Sequence, residues 1–103
     1  MKPEAVIEVR FKTTAEGGRQ TAVGGSSSVV DYYGCPFVID GEAFDCRLLL
    51  AGRLLELGKT YEVQVQFLNP QLVLPKLGEG KSFVLREGKD VASGKVVRVL
   101  RDA

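Results

Sequence analysis

The stretch Tyr61-Glu62-Val63-Gln64-Val65-Gln66-Phe67 alternates apolar and polar side chains without a break. Successive side chains of a β-strand point to opposite faces, so this period of two predicts a strand with one buried face. Residues 5–13 show the same alternation, with apolar side chains at Ile7, Val9 and Phe11. Both segments therefore indicate sheets that carry a core on one side and water on the other.

The middle of the chain predicts a hairpin. Asp40-Gly41 is a strong signal for a two-residue turn, and an alternating segment at residues 44–50 follows it. The segment before the turn, residues 29–39, contains Gly34 and Pro36. These two residues favour one or two short strands with a kink, because proline cannot donate to a strand ladder.

The last third of the chain predicts a connection followed by two strands. Residues 69–80 hold two prolines and two glycines, which favours a connection with a short 3₁₀ turn. Residues 83–86 and 91–101 are the two strands. Six or so short strands indicate a sandwich or a closed barrel, and closure removes the exposed edges that invite aggregation. We therefore predict an all-β fold, a small closed antiparallel β-barrel of about six strands.

Glycines are predicted at the turns between these strands, because glycine takes positive φ without steric cost. The segment Glu16-Gly17-Gly18-Arg19 is expected to close a hairpin after the first strand. The Gly/Ser-rich residues 23–28 predict a flexible loop. The structural turn glycines are Gly17, Gly18, Gly58, Gly80, Gly88 and Gly94.

Length and composition indicate one ordinary domain. The chain has 103 residues, 45% hydrophobic and 26% charged, so residues 1–103 are expected to form a single β-barrel domain. The net charge of +1 lacks the basic excess of a dedicated nucleic-acid binder. No apolar run approaches the ~20 residues that span a bilayer, and no signal-peptide core is present. We expect a cytoplasmic location and no membrane contact.

Residue types argue against catalysis. The chain has no histidine, so neither a Ser-His-Asp nor a Cys-His site can form. Cys35 and Cys46 are too few for a typical metal site and are expected to be buried thiols, with a disulfide between neighbouring strands as the alternative. Asp40 and Asp45 are interpreted as solvated turn residues. We expect no enzyme activity, no cofactor and no metal.

The order of features along residues 6–101 resembles a known family. The matching residues, in chain order, are Glu16-Gly17-Gly18-Arg19 with Thr21, Tyr33 and Phe37, Gly58, Pro70, Glu79-Gly80, Phe83, Arg86-Glu87-Gly88, Gly94 and Val99-Leu100. This series resembles the third, C-terminal domain of translation elongation factor Tu, here standing alone. The resemblance implies a closed six-stranded antiparallel barrel. It also implies contacts with the aminoacyl-tRNA backbone, a GTPase domain and a nucleotide exchange factor.

The resemblance and the charges together suggest binding residues. No phosphate loop of the GxxxxGK[ST] type is present, so GTP hydrolysis is not expected. Four basic residues would form a shallow surface that positions a phosphate backbone without reading sequence: Arg19, Arg86, Lys89 and Arg98. Alternatively these residues are solvated or ion-paired. The full candidate binding set is Arg19, Tyr33, Asn69, Arg86, Glu87, Lys89 and Arg98.

Two functions remain open. The first is a non-catalytic binding module that docks on a protein partner, such as a GTPase or a translation factor. The second is binding to the backbone of RNA, including tRNA. Residues 14–28 and 69–80 differ most from the family and are expected to carry any new specificity, because loops tolerate change better than strands.

Overall fold

Eight strands form in the part of the chain that the computed structural model describes, residues 2–25 and 31–100. Their bounds are β1 Ala5–Phe11, β2 Val23–Gly24, β3 Tyr32–Ile39, β4 Glu42–Leu49, β5 Leu54–Leu55, β6 Thr60–Phe67, β7 Ser82–Arg86 and β8 Asp90–Val99. A four-residue helix, α1 (Pro70–Val73), follows β6 and leads into a 3₁₀ turn at Leu74–Lys76. No helix in these two ranges is both long and apolar enough to cross a bilayer.

Six of the strands close into a barrel in the order β1-β6-β4-β3-β7-β8, and β8 pairs with β1 to complete the ring. All of the pairings in the barrel are antiparallel. The predicted small closed antiparallel barrel is therefore confirmed. The remaining strands, β2 and β5, form a separate two-stranded sheet.

The alternation that predicts β6 also decides which side chains fill the barrel. Val63, Val65 and Phe67 are buried, whereas Glu62 and Gln64 are exposed. At the centre of the interior, the ring of Phe37 stacks on Phe83 with centroids 4.4 Å apart and meets the edge of Phe67 at 5.0 Å. Apolar side chains from every strand of the ring thus meet in one core.

Pro36 lies within a single continuous strand, β3, rather than between two short ones. The Leu50 amide donates to the Asp31 carbonyl. The backbone N–H and C=O groups of the odd-numbered residues of β3 therefore point toward β4, and those of the even-numbered residues point toward the opposite edge. The missing N–H of Pro36 therefore falls on the other edge of the strand. On that edge, the described pairing with β7 covers only Phe37 and Val38, so Pro36 removes no ladder bond.

The segment after β1 is not a hairpin, because β1 pairs with β6 and β8 instead of with the residues that follow it. Thr13 caps a 3₁₀ turn at Thr14–Glu16 through a capping box, and Gly17 ends the turn with φ of 90°. Gly18 is needed for a different reason. A Cβ there would lie 2.3 Å from the Lys12 carbonyl oxygen.

Gly94, predicted at a turn, lies inside β8 instead. A Cβ at this position would lie 1.8 Å from the Glu8 carbonyl oxygen on β1. Gly94 is therefore required by close approach of two backbones. Gly58, Gly80 and Gly88 do have positive φ.

The predicted flexible loop over residues 23–28 lies only partly within the described residues. Val23 is buried, and β2 pairs with β5 through Val23 and Leu55. Ser26, Ser27 and Ser28 lie outside the described residues. The two-stranded sheet therefore begins where the loop was expected to begin.

Candidate functional site

Three of the predicted binding residues lie together at one end of the barrel. One oxygen of the Glu87 carboxylate, Oε2, accepts hydrogen bonds from the Tyr33 hydroxyl and from Nη1 of Arg19. The Arg19 guanidinium also lies 5.2 Å from the centroid of the Tyr33 ring. We call these three residues the Arg19 cluster.

The Arg19 cluster joins segments that are distant in sequence. Tyr33 comes from β3, and its ring meets the edge of the Phe11 ring at a centroid distance of 5.5 Å. Glu87 comes from the turn between β7 and β8, where Gly88 has φ of 75°. Arg19 comes from the segment after β1, and its Nε donates to the Thr21 carbonyl. The cluster thus ties two turns to the wall of the barrel.

The charges of the Arg19 cluster balance each other, because the Arg19 cation pairs with the Glu87 carboxylate. Arg86, which precedes Glu87 in the chain, pairs with Asp90 at 3.2 Å. A groove of about 290 Å³ beside them also contacts Lys89. Lys89 is exposed and forms no ion pair with the described residues. Of the four basic residues predicted to bind phosphate, two are therefore ion-paired.

Arg98 is not part of this arrangement. It lies eight residues along β8 from Asp90, which corresponds to roughly 25 Å at about 3.3 Å per residue. It lines a groove of about 360 Å³ on the outside of β1, β4 and β6, together with Arg53 and Glu62. Neither arginine forms an ion pair with a described residue. We call this the Arg98 groove.

Asn69 lies at a third location, between β6 and α1. It is exposed, and its side chain makes no capping hydrogen bond to α1. Its neighbour Leu68 is 51% exposed, and Leu72 in α1 is 56% exposed. The other exposed large apolar side chains in the described ranges are Leu54, at 49%, and Leu100, at 41%.

Leu68 forms one wall of a groove of about 380 Å³ over the outer face of β3 and β4. Tyr32 and Pro36 supply apolar surface, and the Arg47 guanidinium lies 4.6 Å from the centroid of the Tyr32 ring. Asp45 also lines the groove. We call this the Leu68 groove. The alternation of β3 and β4 places these side chains outside the barrel, opposite the core positions.

Sequence reasoning did not single out the Leu68 groove, although Asn69 lies next to it. An exposed leucine after a strand has no distinguishing pattern in a sequence, since single apolar side chains are common on protein surfaces. Only the fold shows that Leu68 lies beside Tyr32 and Pro36, more than thirty residues earlier.

Glu4 is a second residue that the sequence does not reveal. It is only 2% exposed, and its Oε1 accepts a hydrogen bond of 2.6 Å from the Phe67 amide. Its own backbone accepts from the Leu100 amide and donates to the Val65 carbonyl. Glu4 therefore has a structural role, connecting the start of β1 to the strands on either side.

No protein-family model matches the chain, and a search of curated proteins returns no significant match. Within residues 2–25 and 31–100, no three histidine, cysteine or carboxylate side chains are grouped so that they would hold a metal ion. The candidate sites are therefore defined by the geometry of their side chains.

Proposed function

We propose that this protein is a non-catalytic binding module that docks a protein partner in the Leu68 groove. The observation that carries the proposal is the exposure of Leu68 beside a concave surface, with a second exposed leucine, Leu72, four residues further on in α1. Burying apolar area of this kind on association is favourable, at about 25 cal/mol per Å². Interfaces are commonly centred on such apolar anchors, surrounded by a polar rim.

The groove also suggests the chemistry of the partner. Tyr32, Pro36 and Leu68 contribute apolar surface to the groove, which suits aliphatic or aromatic side chains. Arg47 stacks on Tyr32 and forms no ion pair with a described residue, so its guanidinium is free to meet a carboxylate. The partner segment expected here is therefore apolar with an acidic residue at one end.

The resemblance to the third domain of elongation factor Tu adds a class of partner. In that family the barrel is a docking surface for a GTPase domain and an exchange factor. We therefore include a translational GTPase, or another translation factor, among the proposed partners. The closed six-stranded barrel is compatible with this choice but is shared by unrelated proteins.

The proposal is tested with a double variant, Leu68→Ser with Leu72→Ser. The matched control is Leu54→Ser, which removes a leucine that is 49% exposed on β5, outside the Leu68 groove. Proteins captured from a lysate of the native host are identified by mass spectrometry. The leading partner is then purified and its affinity is measured for all three chains.

We expect the double variant to bind at least about tenfold more weakly, which corresponds to roughly 1.4 kcal/mol. The control should bind like the wild type. Arg47→Gln should weaken binding and reduce its dependence on salt, because it removes the charge that faces the partner carboxylate. Equal affinity of the wild type and the double variant would refute docking at the Leu68 groove.

RNA-backbone binding is a second candidate function, favoured by the Arg98 groove. Arg53 and Arg98 line the same surface without an ion-pair partner in the described ranges, so both are available for phosphate oxygens. Retention of tRNA on a filter should be strongest at low salt and should fall in a variant with both arginines changed to alanine. Arg86→Ala, which removes an arginine paired with Asp90, is the control. Absence of retention at low salt would exclude this function.

A further inference from the structure

Cys35 and Cys46 are directly opposite each other in the β3–β4 ladder. Both are buried, both face the core, and both are free thiols. In this register Leu50 is opposite Asp31, and the Leu50 amide donates to the Asp31 carbonyl. Hydrogen-bonded and non-hydrogen-bonded pairs alternate along an antiparallel ladder, so Cys35 and Cys46, four positions further along, are also a hydrogen-bonded pair. The Cα atoms of such a pair are about 5.5 Å apart. This separation falls at the usual distance across a disulfide, about 5.5–6 Å.

The two thiols differ in access. Cys35 is 8% exposed and Cys46 only 1%, and both thiols face the core rather than the Leu68 groove on the outer face of β3 and β4. The more exposed Cys35 is therefore expected to meet a small solute first.

The environment of Cys46 disfavours the thiolate form of its sulfur. A hydrogen bond with the Cys35 thiol and burial together raise the pKa of Cys46 well above its usual value. Cys46 thus remains a protonated thiol at neutral pH, and it is poorly suited to react first, because the thiolate is the reactive form. It is nevertheless in place to react with an oxidised neighbour.

We propose that Cys35 and Cys46 form a reversible oxidation site, in which Cys35 is oxidised by a peroxide and Cys46 resolves the product to a cross-strand disulfide. In the first step one peroxide oxygen is transferred to the Cys35 sulfur, giving a sulfenic acid and, with hydrogen peroxide, one water. In the second step the Cys46 sulfur displaces the hydroxyl of that sulfenic acid. The hydroxyl leaves with the Cys46 proton as a second water, so two thiols and one peroxide yield one disulfide and two waters.

This site is independent of the proposed docking function, because the thiols face the core whereas the Leu68 groove lies on the outer face of β3 and β4. Docking depends on the exposed leucines, whereas the oxidation depends on the register of β3 and β4 and on the exposure of Cys35. The oxidation is therefore measured on the isolated chain without any partner.

The test treats the folded wild-type chain with hydrogen peroxide, quenches it, and alkylates the remaining thiols under denaturing conditions. We expect an intact mass two hydrogens below the reduced chain, no added alkyl group, and a proteolytic fragment that joins the peptides of Cys35 and Cys46. Reduction by dithiothreitol should restore two alkylatable thiols. Two alkylatable thiols after peroxide, or disulfides only between chains, would overturn the proposal.

Single variants test the order of the two steps. Cys46→Ser should accumulate a Cys35 sulfenic acid that dimedone traps, whereas Cys35→Ser should leave Cys46 as a thiol over the same time. Circular dichroism checks that each variant is folded, and Cys46→Ala and Cys35→Ala replace any serine variant that is not. Faster labelling of Cys46 than of Cys35 would contradict the assigned order.

Discussion

The side chain of Tyr33 connects β3 to the turn after β7, beyond the point where the described backbone pairing of these two strands ends. The described ladder between β3 and β7 covers only Phe37 and Val38. Further along β3 the Tyr33 hydroxyl donates to the Glu87 carboxylate, and the phenol ring packs against Phe11. A phenol is suited to this position because its apolar ring can pack in the core while its hydroxyl reaches a polar partner.

Replacing Tyr33 by phenylalanine tests this role. Tyr33→Phe keeps the ring and removes the donor, so we expect the free energy of unfolding to fall by about 1 kcal/mol, as for a partly exposed hydrogen bond to a charged group. Tyr32→Phe is the control, because no hydrogen bond of the Tyr32 hydroxyl is seen among the described residues. Urea unfolding of both variants measures the difference, and equal stabilities would show that the hydroxyl contributes nothing.

Among the glycines of the described ranges, Gly94 has the least space for an added Cβ atom. Gly94→Ala would force a Cβ to within 1.8 Å of the Glu8 carbonyl oxygen, so β1 and β8 would have to separate. We expect a loss of about 3 kcal/mol, at the upper end for overpacking. Gly80→Ala is the comparison, because Gly80 has φ of 86° and open space around its Cα, with an expected cost of about 1–2 kcal/mol. A smaller loss for Gly94→Ala than for Gly80→Ala in thermal unfolding would contradict the assigned close approach.

At the scale of elements, β1 is the strand that closes the ring. It pairs with β6 on one side and with β8 on the other, and its pairing with β8 shifts register between Val6 and Ile7. Glu4 stands at its entrance, where the backbone joins β6 through the Val65 carbonyl. The Glu4 carboxylate extends this contact to the amide at the end of β6, Phe67. Closure therefore depends on a polar residue just outside the strand.

Glu4→Ala removes the acceptor of the Phe67 amide from a site that is 2% exposed. A buried donor without its acceptor costs about 1–3 kcal/mol, and we expect a loss of that size in the free energy of unfolding. Glu8→Ala is the control on the same strand. The Glu8 carboxylate is partly exposed and lies 3.8 Å from the Lys95 ammonium, so its loss should cost less than about 1 kcal/mol. Similar losses for both variants would argue against a special role for Glu4.

The elements also show where sequence patterns are informative. β6 and the turn at Asp40-Gly41 were predicted, because a two-residue periodicity and a turn dipeptide are local signals. The prediction that Glu16-Gly17-Gly18-Arg19 closes a hairpin is wrong, because this segment instead ends a 3₁₀ turn at Thr14–Glu16. Two adjacent glycines carry no information on whether the next strand pairs with the previous one. That decision depends on β6 and β8, which are distant in sequence.

For the whole molecule, stability depends on one core that every barrel strand shares. Phe37 is fully buried and contacts the rings of Phe67 and Phe83, which come from two other strands. Aromatic pairs in such arrangements add about 0.5–1.5 kcal/mol beyond the area they bury. A change at Phe37 therefore affects packing across the barrel, rather than within one hairpin.

Phe37→Ala should lower the free energy of unfolding by about 3–5 kcal/mol, through lost burial and the cavity left behind. This is a large part of the 5–15 kcal/mol typical of a domain. The control is Phe44→Ala, because Phe44 is opposite Phe37 in the ladder but only partly buried. We expect its loss to be clearly smaller in chemical denaturation. An equal loss would mean that the two rings contribute equally to the core.

The candidate sites show the same division between local and tertiary information. The candidate binding set predicted from the sequence contains Arg19, Tyr33 and Glu87, and the fold brings these three side chains together. Arg98 belongs to the same predicted set but lies in a different groove, beside Arg53. The Leu68 groove and the cysteine pair depend on which strands are neighbours and in which register, and one residue of slippage would place Cys35 and Cys46 on opposite faces.

The sequence by itself determined the fold class, the strand periodicity and the turn at Asp40-Gly41, because these follow from interactions between residues close in the chain. The tertiary structure alone decided the closure order, the strand location of Gly94 and the burial of Glu4. Each of these depends on contacts between segments tens of residues apart. Their geometry follows from the registers in which the strands of the closed barrel pair.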